Sequence, residues 1–397
     1  MRILFLTFQF PYPPISGAAI KTLSLIDHLR ASHEVHLLSL RRGELTQAQQ
    51  EWAAHLDGIQ TVELNKPRNA WSLLGSYIAG VPLRIERNRS PAMARLVGSQ
   101  LDALRPDVLF VDGLSMAQSV PEQIRRQAIL HEHNAEYVIW HRQAEVEIGL
   151  RRWVAATEAT RLRRYEAAIV RQFDTVFAVS EDDRQKLIEL GAEPSRVGVL
   201  PNVPDRTFLN KPSFADTEPV ILYFGTLSWQ PNIESLKRIL TSIFPSVSRQ
   251  VPDARLIVAG VGASPALAAR VVATEGAEFH GQVDDPEPLY RGARVLVDAT
   301  RSGGGTRLKV LNAFARGVPV VASSRAAEGL LVTPGEHLLV ADEDDQFVDA
   351  IVSLLRDRDR WQALSGNARA LVRARYVAEV AYRPLDEVMS RLADGAR

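Results

Sequence analysis

The chain alternates between short apolar runs and longer amphipathic stretches from its first residues to its last. The run at 3–7 is nearly all apolar, as expected for a strand buried on both faces, and 18–30 then carries apolar residues at helical spacing. Further apolar runs predict strands at 35–40, 62–64, 108–112, 128–131, 175–180, 197–200, 220–224, 255–259, 278–280, 295–299, 318–322 and 338–340. Helical spacing predicts helices at 46–56, 70–79, 91–104, 142–171 and 344–394.

A strand followed by a helix, repeated many times, predicts parallel sheets with helices on both faces. The alternation stops in the proline-rich stretch 201–218 and then restarts, and 397 residues exceed the usual size of a single core. The sequence therefore predicts an α/β fold of two Rossmann-like domains, 1–203 and 218–378, whose parallel sheets face an interdomain cleft. We expect the last segment, 379–397, to form a helix that could cross back to the first domain.

The amino-acid composition restricts the possible functions more than it restricts the possible folds. Basic and acidic residues both number 47, which argues against a nucleic-acid-binding protein, because such proteins usually carry a basic excess. There is no cysteine, so disulfides, thiolate chemistry and cysteine-based zinc sites are excluded. No apolar run approaches the roughly 18 residues that a membrane helix needs. We expect a cytoplasmic protein, and a peripheral contact at the inner face of the membrane stays open.

The helix predicted at 142–171 is one candidate for such a membrane contact, because it is rich in arginine. Glutamates interleave those arginines, and Glu147 and Arg151 have the i,i+4 spacing of an ion pair. This pattern favours a solvated helix face.

The loop after the run at 295–299 carries the strongest chemical signal, because ligands of parallel sheets bind beyond the carboxyl ends of strands. It reads Gly303, Gly304, Gly305, Thr306, Arg307, Leu308 and Lys309. Glycines let backbone N–H groups approach a phosphate, and the helix start that follows adds partial positive charge. Arg307 and Lys309 add full charges, so we interpret the loop as a diphosphate-binding site with Asn312 beside it. The alternative is a tight turn with two surface cations; a P-loop is excluded because its Gly-Lys-[Ser/Thr] ending is missing.

Two other strand-to-helix loops offer glycine at a position where a ligand could approach. Gly17 begins the helix after the first strand, where an ordinary helix-start turn is nearly as good an interpretation. Gly225 and Thr226 follow the run at 220–224, and Asn232 further along is a candidate N-cap.

Histidines and carboxylates cluster after the strand at 128–131, in the segment His131-Glu-His-Asn-Ala-Glu136. The spacing lacks a known metal-binding pattern such as His-Glu-x-x-His, so we predict no metal. The favoured interpretation is a polar patch in which His133 hydrogen-bonds a sugar. A structural histidine with satisfied hydrogen bonds is the competing interpretation.

Together these loops resemble the retaining, nucleotide-sugar-dependent glycosyltransferases of the GT-B type, family four (glycosyltransferase group 1). The likeness spans nearly the whole chain, and its last motif looks most like an exopolysaccharide-associated bacterial subgroup. The motifs that carry it are Pro11-Tyr-Pro-Pro-Ile-Ser-Gly17, His131-Glu-His-Asn-Ala-Glu-Tyr137, Val179-Ser-Glu-Asp-Asp-Arg184, Leu200-Pro-Asn202, Phe224-Gly-Thr226, Pro231-Asn232, Gly281-Gln-Val-Asp284, Gly303-Gly-Gly-Thr-Arg-Leu-Lys-Val-Leu311 and Ala313-Phe-Ala-Arg-Gly-Val-Pro-Val-Val321.

The resemblance implies a donor held mainly by the second domain, an acceptor held mainly by the first, and retaining transfer without a metal or other cofactor. It implies catalytic roles for His133, Arg307 and Lys309. The implied donor-binding residues are Gly17, Gly225, Thr226, Gly303, Gly304, Gly305, Thr306, Arg307, Lys309 and Asn312. The chain departs from the family where two glutamates usually stand seven residues apart, since it has Gly304 and Asn312 there.

The resulting prediction is a hexosyltransferase-type enzyme that moves a sugar from a nucleoside diphosphate to a hydroxyl acceptor. The acceptor would be a glycan, a lipid-linked precursor or a small metabolite. Two alternatives stay open: a non-catalytic subunit that binds a sugar nucleotide, which Asn312 would favour, and a sugar-nucleotide epimerase on the same scaffold.

Overall fold

The computed structural model describes residues 1–66, 70–205, 213–302 and 308–395. In it the chain forms two compact units, one made of Met1–Pro201 and the segment from Tyr382 onward, the other of Asn202–Ala381. Each unit holds one wholly parallel sheet, so the predicted α/β class with two Rossmann-like sheets is confirmed.

Unit 1 contains a seven-stranded sheet in the order β3-β2-β1-β4-β5-β6-β7. Its strands are β1 (Arg2–Thr7), β2 (Glu34–Arg41), β3 (Gly58–Glu63), β4 (Val108–Asp112), β5 (Ile129–His131), β6 (Thr175–Ala178) and β7 (Val197–Val199). Its helices are α1 (Gly17–Arg30), α2 (Gln47–Ala53), α3 (Ala70–Ile78), α4 (Leu83–Arg87), α5 (Pro91–Leu104), α6 (Glu136–Val146), α7 (Gly149–Val170) and α8 (Glu181–Glu189).

Unit 2 contains a six-stranded sheet in the order β10-β9-β8-β11-β12-β13. Its strands are β8 (Val220–Phe224), β9 (Arg255–Ala259), β10 (Ala277–Gly281), β11 (Val295–Asp298), β12 (Val320–Ala322) and β13 (Leu339–Val340). Its helices are α9 (Gln230–Arg238), α10 (Phe244–Gln250), α11 (Pro265–Val272), α12 (Glu287–Gly292), α13 (Leu308–Arg316), α14 (Ser324–Ala327), α15 (Asp344–Arg356), α16 (Arg358–Arg375) and α17 (Ala378–Ala381).

The central strands are apolar because both of their faces are covered. Leu4 and Leu6 of β1 and Val295 and Val297 of β11 have no exposed surface. These residues belong to the hydrophobic clusters of their own units. Continuous apolar runs are what two-sided burial of a parallel strand requires, which is why the sequence pattern located these central strands. The edge strand β3 was predicted at 62–64 but spans Gly58–Glu63, and none of its residues is fully buried.

The last helix, α18 (Arg383–Gly395), belongs to unit 1 and is held there by α1. The Tyr382 hydroxyl donates to Oγ of Ser24 at 2.9 Å, and His28 Nε2 lies 2.7 Å from Oδ1 of Asp386. The buried ammonium of Lys21 lies over the Tyr382 ring and donates to the carbonyls at the end of the first segment, Leu200 and Pro201. One helix therefore contacts both the first and the last segment of unit 1.

The single helix predicted at 142–171 is wrong. The structure has α6 and α7, separated by extended backbone at Glu147 and Ile148 and by Gly149 at a φ of +58°. A left-handed glycine ends the helical path, because only glycine adopts this backbone conformation without strain. The helical stretch predicted at 344–394 is likewise divided, into α15 to α18. Among the described helices, none combines the length and the apolarity needed to cross a bilayer.

Candidate active site

The strand order of each sheet reverses direction at one position, beside the first strand of the unit. In unit 1 this switch lies between β1 and β4, and in unit 2 it lies between β8 and β11. Crevices outside the carboxyl ends of the strands at such a switch are where open parallel sheets bind ligands. The loops that follow these four strands are therefore where the predicted site residues have to be sought.

In unit 2 the switch is occupied by a buried cation, Lys309. Its Nζ lies 3.1 Å from Oδ2 of Asp298, donates to Oδ1 of Asn232 at 3.2 Å, and stands 4.8 Å from the centre of the Tyr223 ring. The Lys309 side chain is 9% exposed and that of Asp298 is fully buried. Asp298 is the last residue of β11, so the ion pair fixes the ammonium at the end of that strand.

The structure brings Gly225 to the same place. A Cβ built on Gly225 would lie 3.1 Å from Nδ2 of Asn232 and 3.9 Å from Nζ of Lys309. Thr226 is joined to the cluster through its carbonyl, which accepts from Asn232 Nδ2 at 2.9 Å. Two loops that the sequence singled out separately thus meet around one ammonium group.

The prediction of Asn232 as an N-cap is wrong. The helix α9 begins at Gln230 with Trp229 as its N-cap, so Asn232 is the third residue inside the helix. Pro231 next to the helix start explains the shift, because proline is favoured in the first helical turn. The Asn232 side chain instead connects the loop after β8 to Lys309.

The loop that carries Gly225 rests directly on a second glycine, Gly260, which sequence reasoning missed. Gly260 has a φ of +140°, and a Cβ there would lie 1.7 Å from the carbonyl oxygen of Gly225. The backbones also pair here, with Gly225 N donating to Ala259 O at 3.2 Å and Leu227 N to Val261 O at 2.7 Å. No side chain fits at Gly260 without moving this loop.

The glycine-rich loop itself lies outside the described residues, and so do the predicted site residues in it. These are Gly303, Gly304, Gly305, Thr306 and Arg307. Both flanking elements are described: β11 ends at Asp298, and α13 begins at Leu308. Ser302, just before the loop, donates to Oε2 of Glu234 at 3.2 Å.

Asn312 lies one turn along α13 from Lys309 and is almost fully buried. Its Oδ1 accepts from the backbone N of Asp205 at 3.0 Å. The Asp205 carboxylate pairs with Arg316 at 2.8 Å, and Arg316 also pairs with Glu287 at 3.0 Å. Oδ1 of Asn312 is therefore hydrogen-bonded to the segment that follows β7. The amide nitrogen of Asn312 is then the candidate atom for a ligand contact.

In unit 1 the corresponding position is held by Asp112, the last residue of β4. Its Oδ1 lies 2.8 Å from Nδ1 of His131 and 2.9 Å from Nε2 of His133. Its Oδ2 accepts from the hydroxyls of Thr7 at 3.1 Å and Thr22 at 2.5 Å. One buried carboxylate thus joins β1, α1, β4 and the segment after β5.

This environment sets the charges of the cluster. Burial raises the pKa of Asp112, but the neighbouring His133 and His131 imidazoles outweigh it and hold that pKa well below its usual range. Burial lowers the pKa of His131 to about 4, although Asp112 works against the shift. His131 is therefore neutral near pH 7 and donates from Nδ1 to an ionised Asp112.

The three side chains also form a set of metal-ligand type, because their ligand atoms lie within 4.8 Å of one another. A carboxylate and two imidazoles suit divalent transition metals. The hydrogen bonds within the set account for the same short distances, and the prediction of a metal-free site stays a prediction.

His133 meets the loop after β1 through Phe8. The two rings are in edge contact, with centroids 5.6 Å apart, and a Cβ on Gly113 would lie 3.0 Å from the Phe8 ring. Gly17, at the start of α1, is exposed, and Ser16 caps that helix by accepting from Ala19 N at 3.2 Å. The ordinary helix-start role of this turn is thus present, and a ligand role for Gly17 stays a prediction.

Next to His133 in the chain is the buried carboxyl of Glu132, which interacts electrostatically with the buried carboxyl of Glu166. Burial, together with the neighbouring Glu166, raises the pKa of Glu132 well above its usual range, and burial raises that of Glu166 to about 7. Glu166 also accepts from the backbone N of Glu136 at 2.8 Å and of Tyr137 at 3.0 Å, which holds the start of α6.

Sequence reasoning missed Asp112 and Asp298, the carboxylates that contact the predicted site residues. Each ends the strand on the far side of the switch in its unit, and each contacts a cationic or imidazole side chain that the sequence did single out. The signal in the sequence was an acidic residue at the end of an apolar run that predicts a buried strand.

Both halves of the chain match models of sugar-transferring families. Residues 16–203 match the model described as "Glycosyl transferase 4-like domain", and residues 218–357 match "Glycosyl transferases group 1". The two matches fall on different units of the structure.

Individual proteins that are similar to this chain agree with these two family matches. An uncharacterized 44.6 kDa protein in the cps region of Klebsiella pneumoniae is 20% identical over 94% of this chain and 96% of its own length. A GDP-mannose-dependent phosphatidylinositol monomannoside mannosyltransferase of Corynebacterium glutamicum is 28% identical over 45% of this chain and 49% of its own. The structure of Anabaena HepE in complex with UDP-glucose superposes with a TM-score of 0.68 and 16% identity, covering 98% of this chain and 100% of that one. This likeness shows the fold.

Proposed function

We propose that this chain, which belongs to the glycosyltransferases of the GT-B fold, transfers a sugar from a nucleoside diphosphate to a hydroxyl acceptor with retention of anomeric configuration. The observation that carries the proposal is the Lys309 ammonium, fixed by Asp298 and Asn232 at the switch between β8 and β11. The departing nucleoside diphosphate accumulates negative charge, and a charge held in place beforehand stabilises it without reorganisation.

The donor site belongs to unit 2. Gly225 leaves room for the diphosphate beside Lys309, because no Cβ fills the space between them. We assign the remaining phosphate contacts to the loop 303–307, with Arg307 as its second full charge. Asn312 contributes through its amide nitrogen, since its oxygen is bonded to Asp205.

The acceptor and the transferred sugar are assigned to unit 1. Asp112 binds Nε2 of His133, so Nδ1 is the ring nitrogen offered to a sugar hydroxyl. Gly17 begins the neighbouring helix and completes the assigned set. The acceptor class is a glycan, a lipid-linked precursor or a small metabolite.

Retention follows from attack on the same face that the diphosphate leaves. The acceptor oxygen bonds to the anomeric carbon as the bond from that carbon to the phosphate oxygen breaks, and the acceptor proton passes to the departing phosphate. This route needs no side-chain nucleophile and no metal. His133 orients the sugar, while Lys309 and Arg307 stabilise the diphosphate.

A donor panel tests the proposal. UDP-, GDP-, dTDP- and ADP-sugars are titrated calorimetrically into the wild type and into Lys309→Ala and Arg307→Ala, with and without EDTA. We expect one base to bind, both variants to bind it more weakly, and EDTA to have no effect. Turnover with that donor is then followed by NMR, which reads the anomeric configuration of the product directly.

Each alternative has its own outcome in this experiment. Binding of the donor without turnover on any acceptor would indicate a non-catalytic subunit. Conversion of the donor sugar without an acceptor would indicate an epimerase. Unchanged affinity in both cation variants would refute the phosphate assignment itself.

A further inference from the structure

Unit 1 presents a cluster of large apolar side chains to solvent. Among the described residues eleven large hydrophobic side chains are exposed, and six of them lie in α3, at the end of α6 and at the start of α7. We call these six the apolar tip: Leu74, Ile78, Val146, Ile148, Leu150 and Trp153. Contiguous exposed apolar surface of this kind marks an interaction site.

The apolar tip is one surface, because α3 packs against α7. The rings of Tyr77 and Trp153 are stacked with centroids 6.5 Å apart, and Ile78 follows Tyr77 directly. Arg161 of α7 donates to the carbonyls of Ser76 at 2.6 Å and Val81 at 2.8 Å. These bonds fix the end of α3 beside the middle of α7, and the Tyr77 ring reaches Trp153 in the second turn of that helix.

The backbone between α6 and α7 turns these side chains outward. Glu147 and Ile148 are extended and Gly149 is left-handed, so the chain makes a corner at which Ile148 is 83% exposed and Leu150 is 76% exposed. The buried residues of α7 begin only at Ala155, so its first turn does not pack into the core.

The charges around the apolar tip decide which partner fits it. Arg151 and Arg152 are exposed between Leu150 and Trp153, and no acidic side chain of the described residues forms an ion pair with either. The nearby Glu145 pairs with His141 at 3.7 Å, and Glu147 accepts from Gln143 at 2.8 Å, so both glutamates are engaged within α6. Apolar residues with a tryptophan and adjacent arginines are the composition of surfaces that insert into an anionic lipid interface.

We infer that the apolar tip docks unit 1 onto an anionic membrane surface. Ile148, Leu150 and Trp153 enter the headgroup region, and Arg151 and Arg152 contact lipid phosphates. A second copy of the chain fits less well, because a two-fold contact would bring the arginines of both copies together. This docking does not depend on the donor chemistry, and it determines the place at which the protein acts.

Vesicle co-sedimentation tests the inference on the full chain. The probes are vesicles of phosphatidylcholine alone and of phosphatidylcholine mixed with phosphatidylglycerol. The variants are Ile148→Ser/Leu150→Ser and Arg151→Gln/Arg152→Gln, with Val272→Ser/Leu331→Ser as the matched control, because Val272 and Leu331 are comparably exposed in unit 2. Circular dichroism and nucleotide titration check that each variant is folded.

We expect the wild type and the control to bind the mixed vesicles, and each tip variant to bind about tenfold or more weakly. Trp153 emission, isolated by comparison with Trp153→Phe, shifts to shorter wavelength on binding. Equal loss in the control, or no binding to either vesicle, overturns the inference. A concentration-dependent dimer that only the tip variants abolish, without vesicle binding, assigns the apolar tip to a second copy instead.

Discussion

The carboxylate of Asp298 lies 3.1 Å from the ammonium of Lys309, and both groups are buried at the carboxyl end of β11. Unit 1 has a parallel arrangement, in which Asp112 at the end of β4 lies 2.9 Å from His133. Each unit thus has one candidate site residue in contact with an aspartate at its own switch point.

Lys309→Met should abolish measurable binding of a nucleoside diphosphate, because it removes the charge that faces the phosphates. It should also destabilise unit 2 by about 3–5 kcal/mol, since the buried Asp298 carboxylate loses the cation that lies 3.1 Å from it. Adding Asp298→Asn should restore much of the stability and none of the affinity. Denaturant unfolding and calorimetry measure the two effects separately, and joint recovery of both would make Lys309 a structural residue only.

Gly260→Ala should disrupt the donor loop, because its Cβ would lie 1.7 Å from the carbonyl oxygen of Gly225. We expect lower stability and loss of nucleotide binding, read by thermal shift with and without the nucleoside diphosphate that the donor panel identifies. Gly366→Ala is the control in the same unit: Gly366 is in α16 with no atom within 4 Å of the added Cβ. That change should be neutral or stabilise by up to about 1 kcal/mol, the usual advantage of alanine over glycine in a helix. Full nucleotide binding by Gly260→Ala would contradict the close approach.

Asn312→Ala should weaken nucleotide binding less than Lys309→Met does, because Oδ1 of Asn312 already accepts from Asp205. The lost hydrogen bond should lower the free energy of unfolding by about 1–3 kcal/mol. Asn312→Asp keeps an acceptor at the same place and serves as the conservative variant. An affinity loss as large as that of Lys309→Met would instead identify Asn312 as a main contact of the ribose.

The stability of unit 1 should fall as the pH rises from about 5 to about 7. Burial raises the pKa of Glu166 from 4.5 to about 7, so between these values the folded state binds more protons than the unfolded state. Stability from this proton is complete below the unfolded pKa and is lost as the pH passes the folded pKa, an effect of at most about 3 kcal/mol. Urea unfolding at a series of pH values measures it.

Glu132→Gln is the informative variant for that pH dependence. It removes the buried carboxyl of Glu132, whose pKa is raised by burial and by Glu166, so the decline of stability with rising pH should become shallower. Glu181→Gln changes an exposed glutamate of α8 and should leave the pH profile as it is. Parallel profiles for wild type and Glu132→Gln would show that the Glu132 carboxyl does not contribute.

The sheets could be predicted because two-sided burial makes each strand a continuous apolar run, as at Leu4 and Leu6. The break between α6 and α7 could not, because helical spacing continues through a segment whose backbone is extended at Glu147 and Ile148 and left-handed at Gly149. Helical spacing also predicted the buried side of α13, where Leu308 and Leu311 are in the core.

The site could be predicted from the sequence only in part, for a related reason. Gly225 and Lys309 are of residue types that phosphate binding favours, so each loop was found alone. That Asp298 joins them depends on a buried partner from another strand, which one sequence does not reveal. The prediction of Asn232 as an N-cap was wrong because the neighbouring Pro231 lies in the first turn of α9. The helix therefore begins about one turn before the start that an N-cap at Asn232 would give.

Asp112→Asn should reduce turnover while leaving donor affinity in place, because Asp112 acts through His133. The Asp112 carboxylate accepts from His131 and two hydroxyls and lies 2.9 Å from Nε2 of His133, whereas an amide can offer its oxygen on one side only and presents N–H on the other. His133 would then lose its fixed tautomer, and we expect kcat to fall about 10–100-fold with little change in the KM for the donor.

A double-mutant cycle separates this positioning role from a general loss of structure. If Asp112 acts through His133, then Asp112→Asn combined with His133→Ala should be no worse than His133→Ala alone. Thr22→Val is the structural control, because it removes a hydrogen bond to the other carboxylate oxygen and leaves the histidine side intact. It should lower the melting temperature without moving kcat. Additive losses in the cycle, or a kcat that follows melting temperature across all three variants, would leave Asp112 as a folding residue and return His133 to the role of a structural histidine.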